Sequence, residues 1–286
     1  MNIQWYPGHM TKTRRQIEAD LKNVDMVAEI IDARIPISSR NPDIDAIVGE
    51  KPRLIVLNRA DQADSEGNRR WMAWFKTKGY AILCTDAKTG KGVKDFSLTV
   101  KEALAEQIAR WQEKGMVGRK VRVMVVGVPN VGKSTFINQV AGRKSAKAGD
   151  RPGVTRGKQW VAVDSGLDLL DTPGILWPKF EDPNVGMNLA FTGAVKDDIM
   201  DTETLAFHLM DLLNAHYPQA MTGRYKVEPD PAAQGWELLE RAGKKRGFLI
   251  SGGEVDLERM ASVLLDEFRG GKLGKITLEW PEETTV

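Results

Sequence analysis

Cysteine is almost absent from this 286-residue chain: Cys84 stands alone, so no internal disulfide can form and a reduced environment is expected. No apolar run is long enough to cross a bilayer, and the opening residues lack the apolar core of a secretion signal. A cytoplasmic protein with no membrane partner is therefore expected. Internal repeats and low-complexity tracts are lacking too, which excludes a repeat array. Net charge is only +2, from 41 basic and 39 acidic residues, too small a surplus to name a polyanionic partner. It is unevenly spread, however. Arg143, Lys144, Lys147, Arg151, Arg156 and Lys158 crowd one segment, and Arg241, Lys244, Lys245 and Arg246 another. Charge alone leaves nucleic-acid contact and a solvated face equally open. Against these absences stands an apolar content of 42%, enough for the cores of two moderate domains.

What the chain does possess is a phosphate-binding signature. Val121 to Val126 is an apolar run suited to a buried parallel strand, and it empties into Gly127-x-x-x-x-Gly132-Lys133-Ser134. Thr135 to Val140 can then open a helix. Glycine at both ends of the loop lets the backbone curl until successive N–H groups and the helix N-terminus point at phosphate oxygens. The nucleotide contacts expected here are Asn130, Val131, Gly132, Lys133, Ser134 and Thr135. Lys133 would reach the β- and γ-phosphates, and Ser134 would offer its hydroxyl to Mg²⁺.

The loop does not name the base, but an earlier segment does. Leu54-Ile55-Val56-Leu57 reads as a second buried strand, ending in Asn58-Arg59-Ala60-Asp61. That is the spacing of the guanine-reading Asn-Lys-x-Asp at the carboxyl end of a strand, where open α/β sheets bind ligands. The Asp61 carboxylate can accept from both N1–H and the 2-amino group of guanine, a donor pair that adenine lacks. Arg59 stands where lysine is usual; its stem can cover the base plane and its planar head can stack. Ala81 to Cys84 is a further strand, followed by Thr85-Asp86-Ala87-Lys88. This is similar to a Ser-Ala-Lys loop that gives a backbone N–H to guanine O6, with Asp86 in the serine position, so Asp86 and Ala87 join the expected contacts.

Around these lie other elements. An arm, Trp5-Tyr6-Pro7-Gly8-His9-Met10, leads to a helical stripe of Met10, Ile17, Leu21 and Val24, and then a strand from Met26 to Asp32. Phe96, Val100, Leu104, Ile108 and Trp111 recur at helical spacing, with Gly115 as a cap; aromatics so placed read as core. Downstream, Asp150 to Thr155 is a polar loop whose Thr155 can reach Mg²⁺. Trp160–Val163 and Leu167–Leu170 read as paired strands about Gly166. Asp171-Thr172-Pro173-Gly174 closes the second, where Asp171 can hold the metal's water shell and the Gly174 N–H can touch the γ-phosphate. Beyond Pro178 the pattern turns helical. Leu205, Leu209, Leu212 and Leu213 share a face, Asp230-Pro231 reads as a helix start before Trp236 and Leu239, and Leu257, Met260, Leu264 and Phe268 form a third stripe. The expected organisation is residues 1–178 with an arm over 1–13, then a small helical domain over 179–286.

The motifs run base-reading loop, base-supporting loop, phosphate loop, threonine loop, Asp-x-x-Gly. GTPases ordinarily place the phosphate loop first, so the chain resembles a circularly permuted GTPase: an α/β fold, its mostly parallel sheet flanked by helices, followed by an all-helical C-terminal domain. With the Trp5–Met10 opening, Asp32-Ala33-Arg34-Ile35-Pro36, the filled phosphate loop and Arg151-Pro152-Gly153-Val154-Thr155, it resembles the ribosome biogenesis GTPase A family of bacterial large-subunit assembly factors. A monomer is expected, although the sequence does not fix the oligomeric state; the resemblance implies hydrolysis of GTP with Mg²⁺. It further implies binding to rRNA and the 50S precursor in the GTP state, release on hydrolysis, and RNA contact by the C-terminal domain.

Glutamine after the Asp-x-x-Gly glycine, which orients water in many GTPases, is missing as well: Ile175 occupies that position and Leu176 follows. Catalytic help must come from elsewhere in the chain, from an ion or from a partner. Of three histidines, His208 and His216 fall in the leucine pattern, whereas His9 sits on the Pro-Gly arm. The resemblance implies that His9 positions the water, beside Lys133 as the second catalytic residue, and that Asn130 helps hold a K⁺. A nucleotide-gated RNA-binding module without useful turnover is the alternative from another class. An ATP-dependent enzyme is a weaker one, opposed by Asp61.

Overall fold

The computed structural model describes residues 8–142, 159–164, 166–174, 176–177, 180, 182–195 and 201–281, with side chains from residue 14 onward. Two compact units divide them. Asp182–Ile276 forms one; the residues before it, joined by those from Thr277 on, form the other.

The first unit is built on a sheet. Its strands are β1 (Met26–Asp32), β2 (Arg53–Asn58), β3 (Ala81–Cys84), β4 (Val121–Val126), β5 (Gln159–Asp164) and β6 (Leu167–Asp171), in the order β3-β2-β1-β4-β6-β5. All pairings are parallel except β5 on β6, at one edge. Counted from β4 onward through the chain and around its ends, the same row reads 6-5-4-1-3-2, so the phosphate-loop strand is central and β1, first in this sequence, is the fourth strand of that count. Every residue of β1 and β2 is buried, as suits mainly apolar strands covered by helices on both faces; buried Glu29, which interrupts the apolar run of β1, is held by Arg40 at 3.1 Å.

On one face, Ile17 and Leu21 of α1 (Gly8–Leu21) and Ile44 and Val48 of α2 (Pro42–Val48) pack on Val27, Met124 and Val126. Alongside, Trp71 and Phe75 of α3 (Ser65–Thr77) cover Ile31, Ile55 and Leu57. On the other face α4 (Phe96–Ala103) meets α6 (Lys133–Val140) through an edge-on pair, Phe96 and Phe136, with centroids 5.2 Å apart. Helix α5 (Ala105–Glu113) follows α4 after a break at Leu104, so the long helix expected through residue 115 is two, and α5 buries none of its side chains. Ile108 and Trp111 are consequently not core, contrary to their spacing. The backbone is helical from Gly8, within the segment expected to be an arm to residue 13; Met10, Lys12, Arg14, Arg15 and Gln16 are good helix formers.

The chain's last described residues also depart from expectation. Residues 277–281 do not extend the helical unit but strap across the sheet unit. Leu278 N donates to Arg34 O at 2.8 Å, Asp64 N donates to Thr277 Oγ1 at 2.9 Å, and the indole of fully buried Trp71 donates to Glu279 O at 2.8 Å. The Glu279 carboxylate accepts from Ile37 N at 2.7 Å and Ser38 N at 3.0 Å.

The second unit contains α7 (Pro183–Phe191), α8 (Thr202–His216), α9 (Pro218–Tyr225), α10 (Gly235–Arg246) and α11 (Leu257–Arg269). Helix α10 begins later than Asp230-Pro231 suggested, because a reciprocal cap between Gln234 and Glu237 fixes its start. Trp236 is thereby left exposed while Leu239 is buried. Glu267 of α11 is a buried hub that accepts from Arg224 at 2.9 Å, from the Tyr225 hydroxyl at 2.8 Å and from Arg246 at 3.2 Å.

Candidate nucleotide-binding site

Succession along the sheet reverses direction between β1 and β4: from β1 the chain moves outward to β2 and β3, from β4 to the opposite edge. Such a switch point opens a crevice at the carboxyl ends of the strands, and every described motif loop leaves one of those ends. Gly132 has φ of +93°, and a Cβ there would lie 2.4 Å from Asn58 Nδ2, so only glycine lets the phosphate loop close over its neighbour. A Cβ on Gly174 would meet the Pro129 backbone at 3.0 Å, which puts the Asp-x-x-Gly glycine directly behind the phosphate loop.

Asn58 joins three loops. Its Nδ2 donates to Val131 O at 2.9 Å, and its Oδ1 accepts from Thr85 Oγ1 and from Ala87 N, both at 3.1 Å. It is 2% exposed, so it acts from beneath the pocket. Asp61, at the far end of the same tetrapeptide, is exposed. Ala60 N donates to Thr85 O at 3.1 Å and tightens the pair of loops. Arg59 adopts left-handed φ of 58°, and its Nη2 donates to Asn130 O at 2.9 Å, tying the base loop to the phosphate loop. Asn130 is itself left-handed, at φ 59°. Asp86 is buried in its own turn, its Oδ1 accepting from Lys88 N at 2.9 Å and from Thr89 N at 3.2 Å. Asp86 therefore shapes this loop, and the Ala87 N–H is turned toward Asn58 Oδ1.

Sequence reading gave Asp32 and Arg34 no role beyond the resemblance. Their side chains form a buried fork, Arg34 Nη2 to Asp32 Oδ2 at 2.8 Å and Nε to Oδ1 at 3.0 Å, with Arg59 Nε 3.8 Å from Asp32 Oδ2. Burial works to raise the Asp32 pKa, but Arg34 and then Arg59 outweigh it and hold the carboxyl below its ordinary range. Thr85 and Thr172 carry no sequence signal either, because their hydroxyls donate to partners far away in the chain, Asn58 Oδ1 at 3.1 Å and Val125 O at 2.8 Å.

At the phosphate end, Lys133 Nζ donates to Asp171 Oδ1 at 2.9 Å and to Thr172 O, both partners buried. Burial lowers the Lys133 pKa from its ordinary value while Asp171 opposes that. The donor set beside the loop, Ser134 hydroxyl and Asp171 carboxylate, is hard oxygen, and no group of three or more His, Cys, Asp or Glu able to hold a metal occurs among the described residues. That combination fits Mg²⁺, which takes few protein ligands and fills its shell with phosphate and water. Thr135 is exposed on the first turn of α6. Thr155, Ile175 and the side chain of His9 lie outside the described residues, as does the basic segment 143–158. Three of the other basic cluster's members are engaged: Arg241 with Asp230 at 2.9 Å, Lys244 with Glu240 at 2.7 Å, Arg246 with Glu267 at 3.2 Å.

A family model described as 50S ribosome-binding GTPase matches residues 122–232. Ribosome biogenesis GTPase A of Bacillus cereus is 48% identical over 99% of this chain and 95% of its own length. The chain belongs to the ribosome biogenesis GTPase A family. The protein of that name from Priestia megaterium is also 48% identical, over 99% of this chain and 98% of its own. A solved GDP-bound structure of TM YlqF superposes with a TM-score of 0.67 at 27% identity, covering 94% of this chain and all of that one. Membership makes this a P-loop GTPase of ribosome biogenesis that binds GTP and GDP and uses Mg²⁺. No helix among the described residues is long and apolar enough to cross a membrane.

Proposed function

We propose that the chain hydrolyses GTP as an assembly factor in late maturation of the large (50S) ribosomal subunit. It binds rRNA on the precursor as a monomer in the GTP state, is stimulated by that particle, and leaves on hydrolysis. Residues 1–178 carry the nucleotide and 179–276 the principal RNA contact. The observation that supports this most is the convergence of base loop, phosphate loop and Asp-x-x-Gly segment at one crevice, with Gly174 packed on Pro129. A γ-phosphate contact by Gly174 would then be felt in the phosphate loop at once.

In this mechanism Asp61 reads guanine, Ala87 and Asp86 shape the base pocket, and Asn58 holds the loops in register. Val131, Gly132 and Thr135 present backbone N–H groups to phosphate, and Lys133 leaves Asp171 for the β- and γ-oxygens. Ser134 and Thr155 would hold Mg²⁺ directly and Asp171 would hold it through its water shell, and the ion would neutralise phosphate charge. Asn130 would help hold a K⁺ on the same loop. His9 orients the attacking water, because Ile175 cannot.

Single-turnover hydrolysis with and without 50S particles tests this, and stimulation is expected. His9→Ala should leave GDP affinity nearly intact and slow particle-stimulated hydrolysis by roughly 10²–10⁴; unchanged turnover would remove His9 from the mechanism. Lys133→Ala should instead weaken binding itself, and exchanging K⁺ for Na⁺ tests Asn130. Ile175 favours the second reading, a nucleotide-gated RNA-binding module, for which particles would leave the rate unchanged.

A further inference from the structure

The amino end of the sheet carries features that GTP chemistry does not use. Arg122 lies near the start of β4, and Gly127 opens the phosphate loop five residues later, about 16 Å away along the strand. There Arg119, Lys120, Arg122 and Asp168 line an open cleft of about 250 Å³. Two of the lining arginines each lie over a tryptophan ring. The Arg119 guanidinium lies 3.6 Å from the centre of the Trp111 ring, and that of Arg122 lies 5.4 Å from the Trp160 ring. Trp160 is on the edge strand β5 and 44% exposed, and Val117, in the turn before β4, is 87% exposed. Trp111 belongs to α5, a helix with no fully buried residue, and is itself half-buried.

The cleft keeps a positive balance. Lys120 Nζ sits 3.0 Å from Asp168 Oδ1, and Arg119 Nη2 lies 2.7 Å from buried Asp25, leaving three cations against two carboxylates. An exposed indole and a guanidinium stacked on it present flat surfaces on which nucleobases stack, and neighbouring cations take the phosphates between them. An acidic polypeptide would use the charge but not the rings.

We propose that this cleft is an RNA-contact surface, on which unpaired bases of ribosomal RNA stack at Trp160 and Trp111 while Lys120 and Arg122 engage the adjoining phosphates. It rests on the ribosomal reading above and gives it a second contact, within the GTPase unit and away from the nucleotide. The test uses the full chain with GDP or a non-hydrolysable GTP analogue, a short fluorescein-labelled single-stranded RNA, and 50S precursor particles. Trp160→Ala should weaken RNA binding about tenfold or more. Arg122→Ala should lower the log–log salt slope by about 0.7, the loss of one phosphate contact. Both variants should bind GDP like the parent, which verifies their fold. A parent protein that ignores the RNA, or variants that match it in affinity and slope, would overturn the assignment. So would equal competition by poly-glutamate, which would mark a protein partner instead. Loss of particle binding by the parent would sink the ribosomal reading, whereas the oligonucleotide result would still decide the cleft.

Discussion

Asn58 and Asp61 belong to one tetrapeptide and should fail in different ways. Asn58→Ala strips three hydrogen bonds from a group 2% exposed and leaves Val131 O, Thr85 Oγ1 and Ala87 N without it. The expected cost is about 3 kcal/mol in urea unfolding of the nucleotide-free chain, with GDP affinity falling alongside. Asp61→Asn, at an exposed position, should change stability by less than about 0.5 kcal/mol. It should instead trade GTP for XTP, since an unmatched carboxylate at such a site rejects the wrong base by up to ~10⁴-fold. A variant that binds GDP like the parent and ignores XDP would disprove the base-reading role. The spacing of the motif was visible in the sequence, but its division of labour was not. Which end of the tetrapeptide faces inward depends on Thr85 and Val131, residues far away in the chain.

Among elements, the parallel strands were the most legible: Met26–Asp32, Ala81–Cys84 and Val121–Val126 run where their apolar runs suggested, because burial on both faces leaves little room for polar residues. Amphipathic helices were less so. Phe96 and Val100 are buried, but one turn beyond Leu104 the same periodicity belongs to a helix that faces solvent. In the helical unit, the meeting of Arg224, Tyr225 and Arg246 from two helices on Glu267 could not be read from any one segment. Hydrogen bonds from Arg224 lower the Glu267 pKa to about 2, against an ordinary 4.5. Its folded-state value lies below its unfolded one, so its stabilisation is full above pH 4.5 and fades as the pH falls toward 2. Allowing for Arg224's exposure to solvent, about 2 kcal/mol should vanish over that interval. Hydrogen exchange in α9–α11 should accelerate there in the parent and show little pH dependence in Glu267→Gln.

For the whole molecule, the informative segment is the strap over 277–281. Compositional style changed at Pro178, and nothing later in the sequence signalled a return, since Thr277, Leu278, Glu279 and Trp280 find their partners more than 200 positions earlier. A chain ended at Ile276 would leave the Trp71 indole and the Ile37 and Ser38 amides unmatched in the sheet unit. It should melt lower, by an amount near 3 kcal/mol in stability, and hold GDP less tightly; an unchanged melting temperature would show that the strap is dispensable. The strap also sets an order of events. Translation delivers the phosphate loop well before Glu279, which emerges only after every described helix of the second unit. The loop from Ala33 to Ser39, on which Arg59 leans through Asp32, waits for it. A GTPase of ribosome biogenesis thus closes the loop beside its Asp32–Arg34 fork only after its second unit has been synthesised.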